Sequence, residues 1–180
     1  NKITQFTWVP KPNATETVHR VLQPAIRFTK DECLDLPEMT YVTRDVPLSK
    51  QQEKYYQQMR NEMLLIAAGT EISAVNAAAK LTKLLQISAG SAYADNQDVV
   101  DFDCRGRMNV LKEVIDESSH KVLVFAPYRH SIYAVSQELK KSGYTVDVID
   151  GGISPGKRTD IFNKFQSTPD PRVLVIQPQA

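Results

Sequence analysis

The chain has 180 residues, a formal net charge of +1, 42% hydrophobic residues and 24% charged residues, the balance of a globular domain rather than a disordered or fibrous chain. No apolar run approaches the roughly 20 residues of a membrane-spanning helix, and Asn1–Pro10 lacks the basic-then-apolar pattern of a leader. The two cysteines, Cys33 and Cys104, are too few for a structural zinc site or a disulfide framework, and read as reduced thiols of an intracellular protein. The near-zero charge leaves nucleic acid open as a partner, since a local basic stripe binds phosphates inside a neutral whole.

Three zones differ in texture: 1–47, 48–118 and 119–180. In the first, Pro10, Pro12, Pro24, Pro37 and Pro47 break long elements. A short helix is predicted over Thr17–Ile26 around Val18, Val21 and Leu22, and a strand over Met39–Val46. The second zone reads as mostly helical. Ser49 and Gln52 form a capping-box pattern, followed at helical spacing by Tyr55, Met59, Met63 and Ile66, with Gly69 as the stop. A helix over Ser73–Gln86 carries Val75, Ala78, Leu81 and Leu85 on its predicted buried stripe. Residues 89–104 read as a loop, and a further helix starts near Arg107 with Met108, Leu111, Val114 and Ile115 inward.

The third zone changes rhythm. Short apolar runs at 121–126, 144–149 and 172–176 read as strands, the first of them buried on both faces. Helices over 131–141 (Ile132, Val135, Leu139) and 155–166 (Ile161, Phe162, Phe165) separate them. Ser154 is a natural N-cap and Pro155 fits a first turn. The β-α-β-α-β order with these connection lengths predicts parallel pairing.

In an open parallel sheet, ligands sit beyond the C-terminal strand ends. The first strand leads into Pro127, Tyr128, Arg129, His130 and Ser131. The second leads into Asp150, Gly151, Gly152, Ile153 and Ser154, then Lys157 and Arg158, and the third into Gln177, Pro178 and Gln179. All three loops fall on one edge, with three cations and two helix N-termini whose free N–H groups attract anions. Arg158 stands in a helical first turn, a poor place for a cation unless an anion joins it. The plainer alternatives are a solvated loop with Ser131 as a cap, and a Gly151-Gly152 turn that exploits positive φ. His19 and His120 read as surface residues.

No Gly-x-x-x-x-Gly-Lys-Ser/Thr loop for a triphosphate is present, and no Asp-Glu pair ends an apolar strand. Three scattered histidines give no Ser/His/Asp set.

The order of motifs resembles the Swi/Snf family of superfamily-two helicase-like ATPases over almost the whole chain. Pro24–Pro37 (PAIRFTKDECLDLP) looks like the segment leaving the family's first motor lobe, and Val46–Tyr56 is similar to the strand and helix after it. Lys83–Gly90 (KLLQISAG) resembles a helix with a Leu-x-Gln-Ile core. Arg107–Leu111 (RMNVL) resembles the pattern that introduces the second lobe, where the family usually has Lys in place of Arg107. Val122–Tyr128 looks like the fourth motif, Asp150–Arg158 the Asp-Gly turn with its following arginine, and Val173–Ala180 the start of the fifth. The last piece looks nearest to virus-encoded or bacterial members.

The resemblance implies an α/β fold: a partial RecA-like parallel sheet, the P-loop-NTPase-like helicase C-terminal lobe, preceded by a mostly helical insertion. The implied divisions are 1–47 leaving the first lobe, 48–118 the protrusion and 119–180 the second lobe. It implies ATP and Mg as cofactors of an intact parent motor, with none bound to this chain, and as partners duplex DNA and the parent's first lobe. An intracellular setting follows, in bacterial cytoplasm or a eukaryotic nucleus, with no membrane. Tyr128, Arg129, His130, Ser131, Gly151, Gly152, Ser154, Lys157, Arg158 and Gln177 would meet the DNA backbone, with Tyr128 alternatively packing on a neighbouring lobe. On this reading the chain is an internal piece, ending inside the fifth motif with a sheet edge unpaired and hydrolysing no ATP alone. Two other readings compete: a non-enzymatic interaction module using the Tyr/Met helix at 55–66, and a small-molecule α/β domain using Gly151-Gly152 as a phosphate turn.

Overall fold

A computed structural model of the chain describes residues 6–26, 28, 33, 38–67 and 69–179. The chain divides into two compact units, Asn1–Thr43 and Arg44–Ala180. In the first, α1 (Ala14–Leu22) forms where the short helix is predicted, shifted toward the N-terminus. Its Val18, Val21 and Leu22 are exposed rather than packed. The strand predicted over Met39–Val46 does not form. A strand exists only through a hydrogen-bonded neighbour, and Met39, Tyr41 and Val42 stand exposed. Arg27, Lys30 and Pro37 of the first resembling segment lie outside the described residues.

In the second unit, α2 (Lys50–Glu62) begins at the predicted capping box. The Ser49 hydroxyl accepts from Gln52 N, and Gln52 Oε1 accepts from Ser49 N, both at 3.2 Å. The expected continuation to Ile66 fails, because Met63 turns left-handed with φ 57°. The run Leu64–Ala67 is strand β1, paired antiparallel with β2 (Thr70–Ser73). Helix α3 (Ala77–Ala89) starts later than predicted, with the Asn76 side chain accepting from Ala79 N at 2.8 Å. Its predicted buried stripe is wrong: Val75, Leu81 and Leu85 are exposed, whereas Gln86 and Ile87 are buried. Gln86 Oε1 accepts from Tyr93 N, and buried Gln52 donates to Ile87 O at 2.8 Å. Both amides therefore satisfy backbone groups that would otherwise be stranded in the interior.

Residues 89–104 form a hairpin rather than a loop, with β3 (Ser91–Tyr93) against β4 (Val99–Asp101). Gly90 ends α3 at φ +105°, where a Cβ would lie 3.1 Å from Cys104 Sγ. Chirality and close approach both select glycine there. The insertion thus adds two short hairpins to its helices, around a core that includes Met59, Ile72, Ile87, Val100 and Phe102.

A second core joins α4 (Arg105–Glu117) and α5 (Arg129–Lys141) to a sheet of β5 (Val122–Phe125), β6 (Val146–Ile149) and β7 (Val173–Ile176). The three strands are parallel, in the order β5-β7-β6. Register places Val122, Val173 and Val146 in one row and Val124, Val175 and Val148 in the next, facing Met108, Ile115, Ile132, Val135 and Leu139.

The opposite face carries α6 (Pro155–Ser167) and is only part covered. Leu174 and Ile149 are buried, but Leu123 is 47% and Phe125 60% exposed, so β5 is not buried on both faces as expected. Phe162 is also exposed rather than inward, and α6 has no fully buried residue. At the N-terminal edge of the sheet two cations cap helix ends. Lys121 donates to Phe165 O and Thr168 O of α6, and Arg172 to Ile115 O and Ser118 O of α4.

Candidate nucleic-acid interface

Parallel pairing brings the starts of α5 and α6 and the residues after β7 to one edge of the sheet. Neither helix start has a side-chain cap bond. Tyr128 takes the N-cap position of α5, and a tyrosine hydroxyl cannot reach its own helix N–H groups. Ser154 does occupy the N-cap position of α6, with Pro155 following, but its hydroxyl makes no cap bond. Both starts therefore keep orphan N–H donors and the positive end of a helix dipole.

A buried carboxylate ties the two starts together. Asp150, 1% exposed, directly follows β6. Its Oδ2 accepts from Arg129 Nε at 2.7 Å and from the Tyr133 hydroxyl at 2.9 Å, and its Oδ1 accepts from Gly152 N at 2.9 Å. Burial alone would raise this carboxyl. The Tyr133 hydroxyl, the Gly152 N–H and the Arg129 guanidinium together outweigh burial and hold it below its ordinary value. Arg129 remains 61% exposed, so its guanidinium is oriented by Asp150 while still facing water.

Neither Gly151 nor Gly152 has positive φ. At Gly152 space is tight instead, since a Cβ there would lie 3.1 Å from Arg129 Nη2, the far end of a flexible side chain, and 3.3 Å from Asp150 Oδ1. A Cβ on Gly151 would meet nothing.

The remaining predicted residues divide. Lys157 is exposed at the start of α6. Arg158 is half-buried, with Nη2 bonded to Ile153 O at 3.4 Å and a buried Nε that has no partner. Gln177 extends the ladder through its N–H to Ile149 O at 2.9 Å. Tyr128 is half-buried, and burial raises its phenol. His130 is engaged elsewhere: Nε2 lies 2.7 Å from Asp101 Oδ1 at the end of β4. Ser131 is neither a cap nor on the open edge. It sits inside α5, 6% exposed, with no partner for its hydroxyl. The edge thus assembles Tyr128, Arg129, Gly151, Gly152, Ser154, Lys157, Arg158 and Gln177, and sets His130 and Ser131 behind it. The sequence places Asp150 in its loop without marking it as a site residue. Tyr133 and Asp101 were missed, although Tyr133 stands one helical turn after Arg129.

Residues 106–177 match the family model of the helicase conserved C-terminal domain, a stretch that holds the β5–α5 and β6–α6 loops and ends at Gln177. That part of the chain is similar to helicase C-terminal domains. It is 27% identical over 154 residues to an uncharacterized ATP-dependent helicase of Mycoplasma genitalium, covering 83% of this chain and 15% of that protein. It is 33% identical over 88 residues to an ATP-dependent RNA helicase of Saccharomyces cerevisiae, covering 46% and 16%. A putative protein of Acyrthosiphon pisum secondary endosymbiont phage 1 is 29% identical over 99 residues, covering 54% and 22%. The chain therefore spans about a fifth or less of the length of these relatives. Its α/β fold, with a parallel three-stranded sheet, fits the RecA-like C-terminal lobe. Among the described residues no helix is long and apolar enough to cross a membrane.

Proposed function

We propose that the chain is the second motor lobe of a Swi/Snf-type ATP-dependent DNA translocase, with residues 1–47 leaving the first lobe and 48–118 protruding between the two. The single observation that carries this reading is the pair of uncapped helix starts, α5 and α6, joined through Asp150 at one sheet edge. Arg129, Lys157 and Arg158, with the free N–H groups, suit a phosphate backbone, where contacts fix position and carry little sequence information. Tyr128, Gly151, Gly152, Ser154 and Gln177 shape the track, and His130 and Ser131 support it from behind.

The chain carries no triphosphate loop and no Asp-Glu pair at a strand end, so ATP and its Mg are assigned to the first lobe of the parent protein. That relatives are named ATP-dependent helicases supports ATP use by the parent. The yeast relative's name also favours a second reading, in which the track takes RNA.

Fluorescence anisotropy with labelled duplex DNA and duplex RNA of one sequence, over a salt series, tests both. With two or three free cations engaged, log affinity falls against log salt with a slope of about −2 to −3. Lys157→Ala makes it shallower by about one. Binding that ignores salt, or is unchanged in Lys157→Ala and Arg158→Ala, removes the phosphate track. Tighter binding to RNA selects the second reading.

A further inference from the structure

Behind the phosphate edge, α4, β5 and the start of α5 enclose a cavity of about 220 Å³. Its walls are largely apolar, with Met108, Leu111, Val124 and Val135 among them. Two lining residues break that character. Ser131 is 6% exposed and its hydroxyl has no partner, in a fold where buried polar atoms are nearly always satisfied. Arg107 is exposed in the first turn of α4, a turn with no acidic residue and no side-chain cap. Its neighbour Arg105 is neutralised by Asp103 at 2.8 Å, but Arg107 has no ion pair among the described residues. A cation at a helix start faces the positive end of the dipole, which an anion would offset.

We propose that this cavity receives one unstacked base of a bound nucleic-acid strand, with Arg107 on the adjoining phosphate. The inference rests on the reading that this edge binds nucleic acid, and adds that the strand is locally unstacked there. Size and chemistry agree. An apolar cavity of about 150 Å³ accepts benzene, so the larger volume here holds a base ring. Apolar walls suit the ring faces, and the Ser131 hydroxyl meets a polar atom on the base edge. Such pockets tolerate any base, because every base has an apolar face. Pro127 lines the cavity and begins the β5–α5 loop, which makes the cavity continuous with the phosphate track. Arg107 and Leu111 stand one helical turn apart, so the cation lies over the apolar wall.

The test uses the 180-residue chain, with anisotropy on a labelled oligothymidylate and on a DNA duplex of equal length. Ala89→Phe places a ring in the cavity from the end of α3. It is expected to weaken single-strand binding on the order of tenfold, leave duplex binding unchanged and keep the thermal unfolding temperature. Ser131→Ala, which removes only an orphan hydroxyl, is the second variant should Ala89→Phe unfold, and is expected to weaken the single strand alone. Arg107→Ala lowers both affinities. If the cavity variants fold and single-strand binding is unchanged, or falls equally with duplex binding, this inference is overturned while the phosphate track stands. If the unsubstituted chain binds neither probe, the track itself fails and the cavity proposal with it.

Discussion

The Asp150 network makes an asymmetric prediction about which of two paired residues matters to the fold. Asp150 is 1% exposed and accepts three hydrogen bonds, whereas Arg129 is 61% exposed. Asn in place of Asp150 keeps the shape but one acceptor oxygen. If that oxygen serves Arg129 and Tyr133, the amide NH2 confronts the Gly152 N–H. If it serves Gly152, the NH2 confronts the guanidinium. Either way at least one hydrogen bond is lost and one buried donor is left unmet, which together cost about 2–4 kcal/mol. Arg129→Ala removes a group already in water. Its ion pair is weakened by solvent screening, and water replaces it. Thermal unfolding followed by circular dichroism should place Asp150→Asn roughly 5–15 °C below the unsubstituted chain, with Arg129→Ala within a few degrees of it. Equal losses, or a larger loss for Arg129→Ala, would refute the claim that Asp150 anchors the edge and that Arg129 is held outward for a ligand. The network also sets a pH window. The folded carboxyl of Asp150 is depressed below its ordinary value of 3.8, so its stabilisation is complete above that pH. It is lost as pH falls through the folded value, and Asp150→Asn should remove that part of the acid sensitivity.

Gly152→Ala should leave the unfolding temperature nearly unchanged while weakening nucleic-acid binding severalfold, because the added Cβ displaces the flexible tip of Arg129 rather than backbone; an intact affinity would separate Arg129 from the track. Gln52→Ala should cost about 2–3 kcal/mol by urea unfolding, since it removes half of a capping box and the donor to Ile87 O. Asp103, hydrogen-bonded and paired to Arg105, should titrate at about 2 by carboxyl carbon resonance, and Arg105→Ala should return it toward 3.8. The 180-residue chain, without a triphosphate loop, should hydrolyse no ATP with or without duplex DNA; DNA-stimulated turnover in a phosphate-release assay would overturn the division of labour between lobes.

How much of this was legible in the sequence depends on element length and neighbours. The β-α-β-α-β zone is legible in its boundaries to within about two residues, although β5 is open on one face and Phe162 of α6 is exposed. The middle zone was misread where elements are short. Leu64–Ala67 continues the apolar rhythm of α2, and only the left-handed turn at Met63 converts it to a strand. The hairpins pair four residues with four and three with three, below the length at which period two separates from period 3.6. In α3, Leu81 and Leu85 looked like core, yet the face that packs presents Gln86 and Ile87. A buried glutamine is invisible to an apolar count, and its place follows from backbone groups of other elements that need partners.

The candidate site divides along the same line. Position along a parallel sheet is a topological consequence of strand order, so the edge carrying Arg129, Lys157, Arg158 and Ser154 follows from the sequence alone. Side-chain pairing is not. Spacing places His130 beside Arg129, yet one reaches Asp101 in the hairpin and the other Asp150 in the sheet, because adjacent helical residues point about 100° apart. The same rotation turns Ser131 inward, away from the edge its neighbours line. What decides the edge's chemistry is therefore less the number of cations in its loops than which carboxylates the fold brings to them. Asp150 restrains Arg129, Asp101 occupies His130, and Lys157 and Arg158 remain without an ion pair among the described residues, as a surface that grips an anion requires.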